Sequence, residues 1–453
     1  MAITKALAEF ASNLNFKDIS NQAVNTAKVS ICDFIACAIA GRDVDASVKV
    51  KEYILEQGGA QDCSIPAQGF RTNAQFSALL CGTMGHALDF DDGNSVMRIH
   101  PGVAITPVIW ALGDKYNISG ECAIEAYLAG FEVGAYISLF TMSPSIIGPW
   151  HPTKQLGVMC AAVSAAKIMD LTVPQIRAAL GIAASMSGGL KQNYGTMTKP
   201  LHPGLSARDG IIAATLAKKG FSADINIIEA EFGFGNTFRA GETMSEEAVL
   251  DLLNKNISDG IFFADKGNGI KQSPACGSTH KAMNVIIDLA NREDIKPEDV
   301  ESIIVEGEDY ILSDLFAHEP KTPLEAKFSM EFVAAVAISK RKVGLSEFTE
   351  EMIKEMEPLM KKVSSRVVSL TKVFADHSQT VHIKLVDGRT LTNSSTNLSS
   401  IAKRPLPWDE LLQKYSDCTS SYLSKQDAIK SGELLRNIEN MTEFRTLVEI
   451  VAK

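Results

Sequence analysis

Three short segments concentrate the residue types that move protons. The first is His86-Ala-Leu-Asp89-Phe-Asp91-Asp92-Gly93-Asn94, followed by Arg98-Ile99-His100-Pro101-Gly102. It packs three carboxylates and two histidines into fifteen residues. The second is Gly148-Pro149-Trp150-His151-Pro152-Thr153, and the third runs Asn193-Tyr194-Gly195-Thr196-Met197-Thr198-Lys199-Pro200-Leu201-His202-Pro203-Gly204. Four of the eight histidines fall in these segments. Imidazole titrates near neutral pH, a carboxylate can orient its N–H, and a lysine can hold an anion. Gly and Pro place all three segments in loops, each ahead of a helix whose first N–H groups favour a bound carboxylate.

Taken singly, each residue has an ordinary explanation. Asp89 and Asp92 fit helix caps, His100 and His151 fit turns before proline, and Lys199 fits a solvated surface. The combination is what points to proton chemistry beside an anion. His86, Asp89, Asp91, Asp92 and His100 also invite a metal reading. His-x-x-Asp is loose, HExxH is absent, and the cysteines do not form a cluster set, so no metal is expected. No cofactor is expected either. Gly233-Phe234-Gly235-Asn236 and Gly267-Asn268-Gly269 both lack the third glycine of a dinucleotide loop. No P-loop or GxSxG elbow occurs. His202 divides evenly between substrate contact and a helix cap. Cys276 fits packing better than catalysis, and His280, His318, His377 and His382 fit structural or surface roles. Lys327 and Ser329 are weaker candidates.

Helices must carry these loops. Apolar residues recur at helical spacing over Ile3–Leu14, Asn21–Ala40, Gln75–Ala87, Gly102–Tyr116, Gly120–Phe140, Lys154–Met169, Val173–Ser187 and Leu205–Lys219. Ser20 is placed to cap the second of these. Near Gly267 the character changes. A helix over Ser278–Asn291 precedes an alternating run, Val300–Glu306, and a helix over Leu324–Lys340. Strands follow at Ser365–Leu370 and across Val381–Thr392, where Asp387-Gly388 marks a hairpin turn. Helical spacing returns over Trp408–Leu423, Asp427–Asn437 and Met441–Val451. The expected fold is mainly α: an all-helical domain from residues 1–266 and 400–453, with a smaller α+β domain over 267–399.

Composition narrows the partners. The net charge is −10 over 453 residues, and no Lys/Arg stripe could track a phosphate backbone, so no nucleic acid is expected. The eight cysteines lack regular spacing and read as reduced core thiols. A signal peptide and an uncharged stretch long enough to span a bilayer are both missing from this reading. A cytoplasmic protein without a membrane partner is the expectation.

The same stretches carry a family resemblance. HALDFDD (His86–Asp92), His100-Pro101-Gly102, Trp150–Thr153, GTMTKPLHPG (Gly195–Gly204), KQSPACGSTH (Lys271–His280) and LEAKFSMEF (Leu324–Phe332) resemble the MmgE/PrpD family over nearly the whole chain. Its members include 2-methylcitrate dehydratases, cis-aconitate decarboxylases and iminodisuccinate epimerases. The resemblance implies a large helical domain with an inserted α+β lid, an active site between them, a homodimer, and a small di- or tricarboxylate substrate. Carried over, Asp89, His100, His151, Lys199 and Lys271 match positions that bind substrate and move protons. Asp92, His202 and Cys276 join as substrate-binding candidates. Gly93 and Asn94 stand where the family often reads Thr then His. Cys276 stands where cis-aconitate decarboxylases carry a histidine.

The implied activity is that of a lyase removing a proton next to a carboxylate, with dehydration ahead of decarboxylation. The alternative is an epimerase using the same pair. In this reading Lys199 and Lys271 hold substrate carboxylates, His100 and His151 serve as base and acid, and Asp89 orients one histidine.

Overall fold

The computed structural model describes residues 2–142, 148–308, 312, 314–369, 378–395 and 406–453. The chain is mainly α and divides into two compact units: Met1–Ile270 with Pro405–Lys453, and Lys271–Arg404.

Helices dominate the first unit. Side-chain caps start several of them: Ser20 accepts from the Ala23 N–H, Asn73 from Phe76 and Ser119 from Cys122. Helix Ala74–His86 is buried along nearly its whole length, as is Pro101–Tyr116. Small residues make this packing dense. A methyl group on Gly82 would lie 2.7 Å from the Gly204 Cα, and one on Gly204 would lie 2.3 Å from the Leu79 carbonyl oxygen. The two glycines thus bring helix Ala74–His86 against helix Thr198–Lys218 almost backbone to backbone. Helix Trp408–Thr419, from the far end of the chain, packs on helix Asn21–Ala40.

Helices Asn21–Ala40 and Gly120–Thr141 are long and apolar enough to cross a bilayer by length and composition, which the sequence reading did not anticipate. In their most apolar windows 78% and 89% of residues are buried within the protein, so both are core helices.

The second unit holds a four-stranded sheet in the order Val363–Ser369, Val300–Glu308, Thr380–Leu385, Thr390–Ser394. The first pair is parallel and the others antiparallel. The Asp387-Gly388 turn closes the hairpin, with Gly388 at φ 91°. Ile303 pairs with Ile383 and Val305 with Val381, and all four are buried in this unit's own core. Helices Gly277–Arg292 and Met330–Lys340 pack together and against the sheet.

Several expected elements differ. The stretch Leu324–Lys340 is two helices, Pro323–Ala326 and Met330–Lys340, and Ser329 breaks it by capping the second through the Phe332 N–H. Lys154–Met169 likewise splits into Pro152–Gln155 and Gly157–Ile168. The helix expected from Leu205 begins at Thr198, which takes Lys199 and His202 out of a loop. Helices Asp45–Gln57, Glu246–Asp259 and Glu350–Met360 were not anticipated. A small two-stranded pairing, Cys63–Ser64 with Arg71–Thr72, also lies in the helical unit. Leu370 and His377 lie outside the described residues. All eight cysteines are free thiols.

Candidate active site

The first segment hangs between the C-terminus of helix Ala74–His86 and the N-terminus of helix Pro101–Tyr116. His86 is the last residue of its helix, and Asp89 takes a left-handed backbone at φ 50°. Asp tolerates that conformation better than most residues, and it turns the chain sharply. Asp91 then faces back toward the helix end. Its two oxygens lie 2.9 and 3.0 Å from His86 Nδ1. Its Oδ2 also lies 3.0 Å from His100 Nδ1. One carboxylate therefore joins two imidazoles whose ring centroids are 4.7 Å apart.

The tautomers follow. His86 Nδ1 faces only acceptors, so it carries the proton, and Nε2 bears a lone pair with no hydrogen-bond partner among the described residues. Burial pushes the His86 imidazole down to about 4, against the pull of Asp91. Burial would raise the Asp91 carboxyl, but the two rings outweigh it and hold Asp91 well below the usual carboxylate range. His100 Nδ1 also faces acceptors, the Asp91 carboxylate and the Asp92 carbonyl oxygen at 2.6 Å.

Asp92 serves the scaffold. Its Oδ1 accepts from the Gly102 N–H at 2.9 Å, inside the first turn of helix Pro101–Tyr116. Its Oδ2 accepts from the Asn268 amide at 3.0 Å. Asn268 also reaches Ser30 Oγ and the Tyr127 hydroxyl. Burial pushes the Asp92 carboxyl up to about 8. These contacts give Asp92 a capping and framework role. Beneath the same loop, Lys414 donates to Asp33 at 2.6 Å and to the Phe90 carbonyl oxygen at 2.8 Å.

The second and third segments meet each other. The His151 N–H donates to the Gly189 carbonyl oxygen, and helix Pro152–Gln155 starts at the next residue. Buried Lys154 reaches Asp209 at 2.6 Å, tying that short helix to helix Thr198–Lys218. His151 Nδ1 then lies 2.9 Å from His202 Nδ1. One of these nitrogens must donate and the other accept, so the two rings are in opposite tautomers. Burial, helped by the charge of Lys199, holds His151 well below its ordinary value. Burial and Lys154 bring His202 down to about 4. The His151 ring stacks on His86 at 5.9 Å and meets Tyr194 edge-on at 5.0 Å.

Lys199, in the first turn of its helix, donates to Asp89 Oδ1 at 3.0 Å, with its ammonium 5.6 Å from the Tyr194 ring centre. Both members of the pair are buried. The structure thus gathers His86, Asp89, Asp91, His100, His151, Lys199 and His202 in one unit. The carboxylate found holding imidazole rings is Asp91, whereas Asp89, expected in that role, carries the contact to Lys199.

His86, Asp89, Asp91 and His100 offer ligand atoms within 4.8 Å of one another. Those donors are already engaged: Asp91 by two rings and Asp89 by an ammonium whose charge opposes a cation. What the cluster offers instead is an ammonium, two backed imidazoles and a buried, water-poor setting in which fixed charges act strongly.

Comparison with known proteins identifies the family. The family model for the MmgE/PrpD N-terminal domain matches residues 5–247, and that for the MmgE/PrpD C-terminal domain matches residues 273–440. The chain belongs to the MmgE/PrpD family. Similar proteins include a cis-aconitate decarboxylase of Aspergillus terreus, 24% identical over 99% of this chain and 96% of that protein. Those of Mus musculus and Homo sapiens are 23% and 24% identical, each over 99% of this chain and 93% and 94% of theirs.

The two remaining candidates belong to the second unit of this MmgE/PrpD chain. Lys271 is buried at that unit's start, and Cys276 is partly buried at the N-cap of helix Gly277–Arg292, where its N–H donates to the Lys327 carbonyl oxygen. Lys327 reaches the Pro274 carbonyl oxygen at 2.9 Å, and His280 Nε2 lies 3.1 Å from that of Ala275. Sequence reasoning gave no role to the His86–Asp91 pair, to Asn268 or to Lys414. The first lay in plain sight inside HALDFDD, while nothing local marked the other two.

Proposed function

We propose that this chain is a lyase acting on a small di- or tricarboxylate by moving a proton at a carbon next to a carboxylate. One observation carries the reading: a buried lysine and a carboxylate-backed histidine sit in one cluster of four imidazoles. Lys199 supplies positive charge for a substrate carboxylate and for the enolate that forms beside it. His100, partly exposed and backed by Asp91, supplies the base. Lys271 and Cys276 remain assigned to substrate on the family resemblance.

Cis-aconitate heads the substrates to try, because the relatives are named for it. Dehydration stands ahead of decarboxylation, because Cys276 occupies the position where cis-aconitate decarboxylases carry a histidine. The test is NMR in D₂O with citrate, 2-methylcitrate, cis-aconitate and aspartate-like acids. New alkene signals or released CO₂ support the lyase. Deuterium entering a substrate of unchanged constitution replaces it with an epimerase, and no change in any acid defeats both.

A further inference from the structure

The two histidines expected to share acid and base duty do not have equivalent surroundings. His100 Nδ1 faces the Asp91 carboxylate at 3.0 Å, and the His100 side chain is 20% exposed. Its ring also meets neutral His86. His151 is 2% exposed and has a second imidazole, His202, against its Nδ1. Besides burial, the largest influences on it are the Lys199 ammonium and the His86, His202 and His100 rings, and Tyr194 meets it edge-on.

Charge accounting separates the two. When His100 gains a second ring proton, at Nε2, its Nδ1–H still faces the Asp91 carboxylate and the Asp92 carbonyl oxygen, and the positive charge lies against Asp91. The His100–Asp91 pair goes from −1 to 0, so the step adds no net buried charge. When His151 gains one, the charge is buried beside the Lys199 ammonium with only a neutral ring to receive it. The His151–His202 contact also tolerates no more than one added proton, since two would set N–H against N–H.

We infer that His100 alone is the proton carrier, that Asp91 is its positioning residue, and that His151 works as a neutral hydrogen-bonding group whose tautomer is set by His202. In the reaction proposed above, on which this rests, a substrate C–H bond breaks and its proton passes to His100 Nε2. The electron pair stays on the substrate as an enolate, which Lys199 and the His151 ring face. The same proton is then available for the leaving group or for carbon. Neutral imidazole as an electrophile and carboxylate-backed imidazole as a base are established ways to use the ring.

The test reads the rings directly and then the reaction. Full-length protein is labelled with ¹⁵N-histidine, the rings are assigned with His100→Gln, His151→Gln and His202→Gln, and pH is lowered from 8. The His151 and His202 rings are expected to stay neutral and in opposite tautomers as pH falls toward 6, with the His100 Nδ1 proton held against Asp91. Asp91→Asn should move the His100 Nδ1 signal, whose partner it changes, and leave the His151 signals in place. Early protonation of His151, or no effect of Asp91→Asn on His100, overturns the inference whatever the substrate proves to be. With an active substrate in hand, His100→Gln should cut kcat roughly 10²–10⁴-fold, and His151→Gln should cut it less, because an amide replaces one neutral hydrogen-bonding group with another. Equal loss in the two variants also overturns it. Failure of every acid with wild-type protein defeats the lyase reading and leaves the NMR result to decide this one.

Discussion

Lys199 donates to Asp89 at 3.0 Å although 110 residues separate them, and both side chains are buried. A buried ion pair of this kind is sensitive to loss of one partner, since the other charge is left without compensation. Lys199→Met should therefore lower unfolding stability by about 3–5 kcal/mol. Adding Asp89→Asn removes the buried carboxylate charge and should restore much of that stability. It should not restore kcat/KM if Lys199 holds substrate. Urea unfolding and substrate kinetics on the two variants check this, and a double variant with wild-type kcat/KM would remove Lys199 from the chemistry.

Metal dependence is a second point of decision. The ligand atoms of His86, Asp89, Asp91 and His100 are close enough to surround an ion. An ion there would have to displace Lys199 from Asp89 and both rings from Asp91. Turnover should therefore survive exhaustive dialysis against EDTA. Loss of turnover that one added divalent ion restores would put a metal in that cluster and end the cation-and-imidazole account.

The close approach of two helices makes a third prediction. A methyl group on Gly204 would lie 2.3 Å from the Leu79 carbonyl oxygen and 2.5 Å from Thr83 Oγ1, so Gly204→Ala must push helix Thr198–Lys218 away from helix Ala74–His86. Overpacking of this sort costs about 1–3 kcal/mol. It also displaces Lys199 and His202 from His86, and a shift of about 1 Å can cost on the order of 10²-fold in rate. Gly188→Ala, which meets nothing within 4 Å, is the control and should change little. Melting temperature and kcat for the two variants decide whether the glycine contact sets the site.

Much of this site was legible because it is local. HALDFDD announced its carboxylates and histidines, and helix Asn21–Ala40 with its Ser20 cap followed directly from spacing. Which carboxylate serves which partner was not legible, because the left-handed turn at Asp89 redirects the side chains and periodicity carries no sign of it. Pro200 and Pro203 argued for a loop around Lys199. Pro200 instead sits in the first turn of the helix, where a missing N–H leaves no bond unmade. Lys414 lies 324 residues from the Phe90 carbonyl it supports, and only the folded chain brings the two together.

The last prediction concerns a proton held away from the site. Glu132, buried in helix Gly120–Thr141, accepts from the Phe263 N–H at 3.0 Å and the Ala264 N–H at 2.9 Å. Burial still pushes its carboxyl up to about 8. In the unfolded chain a glutamate ionises near 4.3, by the usual reference value of roughly that size. Between those limits the folded state holds a proton that the unfolded state has released, so stability falls as pH rises, at up to about 1.4 kcal/mol per pH unit. Glu132→Gln has no such proton to lose. Asp92, also raised to about 8, and the depressed His86 and His202 are common to both proteins and cancel in the difference. Urea unfolding at pH 5, 6, 7 and 8 should then show wild type losing stability relative to Glu132→Gln across the series, with the gap levelling above the folded-state value. Parallel curves would mean that Glu132 folds ionised, its charge carried by the two N–H groups alone.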